Sequence, residues 1–160
     1  MNKMWHRILS AALLAAWLGF IFYMSAKNAT ESSRLSDFIA SLWPFGKEGE
    51  EADEQTMERV TLLIRKGAHM FEFAVLSVLC YRFLRVWTGF RVRRCILVSF
   101  LFSVLYAASD EFHQTFVEGR CGTPKDVLID SCGAMLALFC IWLILTVKKR
   151  KSKAKEETTA

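Results

Sequence analysis

Three short segments concentrate side chains able to bind or move protons, anions or metals. The first is Arg65-Lys66-Gly67-Ala68-His69-Met70-Phe71-Glu72. On a helix Arg65, His69 and Glu72 fall at i, i+4 and i+7 and share one face. The second is Asp110-Glu111-Phe112-His113-Gln114. There Asp110 and Gln114 lie one turn apart on one face, with Glu111 offset. The third runs from Arg120 through Lys125 and Asp126 to Asp130, the two acids again one turn apart. Carboxylates beside a histidine are the raw material of acid–base chemistry, and burial is what moves their proton affinities. Arginines such as Arg65 and Arg120 can hold a phosphate or carboxylate bidentately. His69, Glu72, Glu111, Asp126 and Asp130 offer nitrogen and oxygen donors to a divalent metal, but no HExxH or EF-hand pattern accompanies them. No serine or cysteine stands in a diagnostic nucleophile context.

The elements that carry these residues are apolar. The chain has 160 residues and is 53% hydrophobic, and a helix needs roughly 20 apolar residues to cross a bilayer. Four stretches are expected to do so, at 8–24, 67–87, 95–110 and 127–147. The first follows Lys3 and Arg7 as a signal peptide would, but its length and the absence of a small-residue cleavage site mark it as a retained anchor. Helices two, three and four alternate direction, so the three polar segments arrive at one depth. Ionisable residues there face the bundle interior. A single outward-opening pocket is expected, lined by His69, Glu72, Asp110, Glu111, Gln114, Arg120, Asp126 and Asp130, with Arg65 beside it. The alternative is structural: Arg65 or Arg120 pairs with Asp110 and Asp126, and His69 bonds Glu72 or a carbonyl. His113 is expected to face head groups, and His6 to take no part.

Basic residues near helix ends stay in the cytoplasm. The arm 1–7, the end of the second helix with the turn after it (82–94), and the tail 148–160 hold 13 of the 21 lysines and arginines, which places both termini inside. The other side takes the outer connection 25–66 and the third connection. All but two of the 16 acids, Glu156 and Glu157, lie in those connections or the helix ends facing them. Within the outer connection Leu35, Phe38, Ile39, Leu42 and Trp43 recur at helical spacing, with Ser32 or Ser33 as cap and Pro44 as stop. That pattern predicts a short interfacial helix. The residues from Gly46 to Glu58 read as a solvated acidic linker.

A net charge of +5 does not imply nucleic acid here, because the basic clusters flank membrane helices and suit anionic lipid head groups. Cys80, Cys95, Cys121, Cys132 and Cys140 are odd in number and mostly in apolar helices, so they read as small fillers and not a disulfide framework. The small residues Ser131, Cys132, Gly133, Ala134 and Ala137 let a neighbouring helix approach the fourth.

The succession Arg65-Lys66-x-Ala68-His69-x-x-Glu72, Ser109-Asp110-Glu111-x-x-Gln114-x-Phe116-x-x-Gly119-Arg120 and Lys125-Asp126-Val127-x-x-Asp130-x-x-Gly133 resembles the VanZ-like family over about residues 8 to 147. The resemblance implies a small multi-helix protein of the bacterial plasma membrane. It also implies the low-level teicoplanin resistance associated with the name-giving member, and supplies no reaction. Two positions depart from the family pattern. Glu118 stands where proline is usual, and Asp130 where many members carry asparagine or another residue.

Three functions fit these residues. An envelope enzyme would take a lipid-linked or peptidoglycan-related substrate, with Arg120 and Arg65 on its anion, Glu111 or Asp110 as acid or base, and His69 assisting. A binding module would hold a lipid head group, a glycopeptide or a partner protein without turnover. A small transporter would need an oligomer, since four helices show no internal repeat.

Overall fold

The computed structural model describes residues 3–27 and 54–158. The interfacial helix expected at 32–44 and most of the acidic linker lie outside the described residues. Four helices occur among the described residues: α1 (Lys3–Ser25), α2 (Glu54–Trp87), α3 (Val92–Gln114) and α4 (Pro124–Thr158). No strand occurs among the described residues.

Three of the four helices, α1, α3 and α4, are long and apolar enough to cross a membrane. α2 is not among them. It contains the stretch expected at 67–87, but also His69, Glu72, Arg82 and Arg85. Its place in the bundle accounts for that composition. α2 packs on all three other helices, α3 packs on α4, and α1 reaches α3 only lightly. His69 and Glu72 are largely covered by these neighbours, while Arg82 and Arg85 stay exposed.

Two helices outrun their apolar stretches. α3 continues past 110 to Gln114, so its acids belong to the helix itself. α4 continues through the basic tail to Thr158, since Lys, Arg, Ala and Glu are strong helix formers and neither Pro nor Gly interrupts them.

The burial pattern is that of a protein surrounded by lipid. The innermost apolar cluster is small: Ile21, Phe73, Leu76 and Ala107, flanked by Leu14, Trp17, Leu18, Tyr106 and Val127. Serines are buried with it, namely Ser10, Ser25, Ser77, Ser99 and Ser103. Large apolar side chains such as Phe22, Leu63, Leu105, Leu128 and Phe139 stand on the outside. Small and hydroxylated residues inside with bulky ones outside is how membrane helices pack, because lipid solvates Leu and Phe as well as a core does.

α2 and α4 approach closely. A Cβ built on Gly133 would overlap the Met70 carbonyl oxygen, and the Ser77 hydroxyl donates to the Ala134 carbonyl at 3.3 Å. Of the small residues on α4, Gly133 and Ala134 are buried in this crossing while Cys132 points outward. All five cysteines are free, but only Cys80 and Cys95 are buried, so the filler role holds for those two and not for Cys132 or Cys140.

α1 is held by aromatic donors. Trp17 Nε1 donates to the Glu72 carbonyl at 3.0 Å, Tyr106 Oη to the Leu18 carbonyl at 2.8 Å, and Trp87 Nε1 to the Arg7 carbonyl at 3.3 Å. In a medium without water, backbone carbonyls offered such partners stay satisfied.

Two glycine substitutions should act with opposite sign. Gly67→Ala meets open space and should raise the melting temperature in detergent slightly, since alanine favours the helix by up to ~1 kcal/mol. Gly133→Ala must push α2 and α4 apart and should lower melting by the equivalent of ~1–3 kcal/mol. Thermal unfolding of the two purified variants checks this, and an unchanged Gly133→Ala would disprove the close crossing.

Candidate functional site

The polar residues meet where α3 ends and α4 begins. α3 stops at Gln114, where the Thr115 and Phe116 amides bond back to Phe112 and His113. The chain then turns through Val117–Arg120, closed by the Arg120 N–H donating to the Val117 carbonyl at 3.1 Å with Gly119 at φ 74°. A glycine with positive φ at the third position of such a turn fits type II geometry, in which proline is only favoured at the second position. Glu118 in place of the family's usual proline therefore leaves the turn before Arg120 intact.

α4 opens with a capping arrangement. The Asp126 N–H donates to Thr123 Oγ1 at 3.2 Å, and that hydroxyl donates to Asp126 Oδ2 at 2.9 Å, with Pro124 at the first helical position. The Thr123 N–H is not capped within its own helix. It donates to Glu111 Oε2 of α3 at 3.0 Å. Glu111 Oε1 accepts from Gln114 Nε2 at 3.3 Å, and the same amide nitrogen donates to Asp110 Oδ2 at 3.1 Å. One amide, with two N–H groups, thus sits between two carboxylates that are 5% and 6% exposed. Gly122 makes the approach possible, since a Cβ there would overlap the Glu111 carbonyl. α2 joins through Lys66 Nζ, 3.0 Å from Asp126 Oδ1. Both partners are partly exposed, so this pair adds no more than ~1 kcal/mol.

A cavity of about 430 Å³ lies among these elements. Of the residues expected in a pocket, Arg65, His69, Glu111, Gln114, Arg120, Asp126 and Asp130 line it, and Leu62, Lys66, Gly119, Cys121, Thr123 and Ile129 complete it. Glu72 and Asp110 do not. Glu72 lies beside His69, with Oε2 3.6 Å from Nδ1, too long for a hydrogen bond. Asp110 is held behind Gln114. Sequence reasoning missed the parts played by Lys66 and Thr123. The signal for Thr123 was present, because Thr123-Pro124-Lys125-Asp126 is a capping box with proline at the first helical position. His113 does not line the cavity; its ring lies tilted against Phe22 of α1, centroids 4.9 Å apart.

The ionisable groups divide into two sets. Asp110, Glu111 and Asp126 have partners. His69 Nδ1, Glu72 Oε2, Arg120 Nε and both Asp130 carboxylate oxygens are buried without a hydrogen-bond partner among the described residues. Burial and the neighbouring Arg65 push the Arg120 guanidinium below its usual value, though an arginine stays cationic at any physiological pH. Neither Arg65 nor Arg120 forms an ion pair among the described residues. No three His, Cys, Asp or Glu side chains converge closely enough there to hold a metal ion. The arrangement is suited to an anion at the two arginines and to a donor or cation at Asp130.

Glu111 should behave as a structural link. Glu111→Gln keeps an oxygen for the Thr123 N–H and should melt close to the parent. Glu111→Ala strands that N–H and part of Gln114 and should cost ~1–3 kcal/mol, read as a lower melting temperature. Equal melting of the two variants would show that Glu111 does not tie α3 to α4.

Among known families, the sequence matches VanZ/LLP1 over residues 10–145, most of the chain. No curated protein matches it, and no solved structure matches it.

Proposed function

The chain belongs to the VanZ/LLP1 family, and on that premise we propose that it is a four-span bacterial plasma-membrane protein whose outward-facing pocket binds an anionic cell-envelope ligand. The ligand is a lipid head group or a lipid-linked, peptidoglycan-related molecule. The observation that carries this reading is that Arg65 and Arg120, without an ion pair among the described residues, line a cavity at the end of the bundle. A guanidinium in a partly desolvated site binds phosphate or carboxylate strongly and with fixed geometry.

Orientation rests on the basic residues. Arg82, Arg85, Arg91, Arg93 and Arg94 flank the end of the bundle away from the cavity, as do Lys3, Arg7 and the tail, so retention of positive charge inside turns the cavity outward. A reporter fused after Lys155 should read cytoplasmic and one inserted between Gly46 and Glu54 external. The reverse pattern would rule out an outer-leaflet ligand.

Binding is favoured over turnover because Glu111 and Asp126 on the cavity wall, and Asp110 behind it, already accept bonds that hold the helices together. The second reading, envelope chemistry, draws on His69 and Glu72, whose facing atoms at 3.6 Å could act as an acid–base pair on a bound substrate. The partner-interaction alternative, with all buried charges structural, draws on the same bonded network.

In a cell the binding reading gives a route to glycopeptide resistance. A lipoglycopeptide such as teicoplanin works at the outer leaflet, where this pocket would hold the envelope ligand. Expressed in a sensitive host, the parent chain should raise the inhibitory concentration of teicoplanin. Arg120→Ala should abolish that gain at equal membrane abundance, because it removes charged hydrogen bonds of ~1.5–3 kcal/mol, about tenfold or more in affinity. Full protection by Arg120→Ala would separate resistance from the pocket. Glu72→Gln abolishing protection while ligand binding persists would favour catalysis.

A further inference from the structure

Arg65 and Arg120 account for an anion, but they leave Asp130 unexplained. Its carboxylate is 1% exposed, neither oxygen has a hydrogen-bond partner among the described residues, and the residue lines the cavity. Two further carboxylates, Glu111 and Asp126, line the same cavity. The nearby cation Lys66 is already taken by Asp126. An unpaired carboxylate in such a place is costly, and an ammonium group would supply both the missing charge and the missing donors.

We propose that the pocket takes a ligand bearing an ammonium group next to its phosphate, of the ethanolamine phosphate type, with the ammonium on Asp130 and the phosphate at Arg120 and Arg65. This deepens the binding reading above and rests on it. The placement follows the helix. Asp126 marks the level of the basic mouth, through Lys66 and the 119–123 turn. Asp130 lies one turn further along α4, roughly 6 Å deeper, about what a two-carbon linker between amine and phosphate spans. Arg120 presents a buried Nε without a partner, so each end of the ligand meets a group that is otherwise unsatisfied. A lipid is the source that fits the remaining walls. Leu62 and Ile129 line the cavity, and Leu62 is 39% exposed on the outside of the bundle as well, leaving an apolar surface at the mouth for acyl chains.

The test uses the full chain purified in maltoside micelles, with affinities measured by calorimetry. The soluble probes are ethanolamine phosphate and glycerol 3-phosphate, matched in phosphate but not in amine. The lipid probes are dihexanoyl phosphatidylethanolamine and dihexanoyl phosphatidylglycerol. The parent should bind each amine-bearing probe about tenfold more tightly than its amine-free counterpart, the size of one charged hydrogen-bond set. Asp130→Asn should collapse that ratio and leave the amine-free affinity unchanged, and Arg120→Ala should weaken all probes together. A preference seen with the lipids alone identifies a membrane lipid as the source, and one seen equally with the soluble pair identifies a free phosphoamine. Equal affinity for amine and amine-free probes in the parent overturns the proposal while leaving the anion site standing. Failure of every probe to bind the parent overturns both. If Asp130→Asn does not accumulate, the parent's ratio decides alone.

Discussion

A carboxylate moved out of water must recover donors or a counter-charge, and α2, α3 and α4 bring Glu72, Asp110, Glu111, Asp126 and Asp130 to one end of the bundle. Much of the architecture follows from that requirement. Glu111 recovers its donors from the first amide of α4 and from Gln114, Asp110 from the same Gln114, and Asp126 from Thr123 and Lys66. These bonds connect three helices. What satisfies the acids therefore also sets where α3 ends, where α4 starts and how both meet α2.

The close backbone crossing at Gly133 serves the same end from below. It draws α4 against α2 at Met70, one residue from His69 and two from Glu72. The same two helices are joined above it by Lys66 and Asp126. Tight packing at Gly133 and Ala134 and bonded acids at the rim are thus two parts of one device. Its stable half is a closed network of hydrogen bonds. The other half, His69, Glu72, Arg120 and Asp130, keeps buried atoms without hydrogen-bond partners among the described residues.

The bundle also separates two uses of charge. At the other end, Arg85 donates to the Phe90 carbonyl at 3.0 Å, Arg94 stacks on the Phe90 ring and Arg7 on Trp87. Those cations rest on aromatic surface and backbone of the turn and are not opposed by acids. The cavity end mixes both signs within a few side chains. Arginine next to aromatic rings anchors a helix end, whereas Arg65 and Arg120 line the cavity.

The sequence by itself determined the helices, because apolar length and the spacing of charges are local properties. It also pointed to His69, Glu111, Asp126 and Asp130 coming together at one end of the bundle, since consecutive helices alternate in direction, and these four line one cavity. The family pattern was legible for the same reason, in residues at fixed helical spacings. Only the tertiary structure decided which acid does what. Glu111 and Asp110 look alike along the chain, yet Glu111 caps a neighbouring helix and Asp110 shelters behind an amide. Asp126 and Asp130 repeat at one turn, yet one meets Lys66 and the other has no hydrogen-bond partner among the described residues. Hydrogen-bond partners across helices depend on crossing distance and rotation, and those were set by contacts such as Gly133 on Met70 that no single helix encodes.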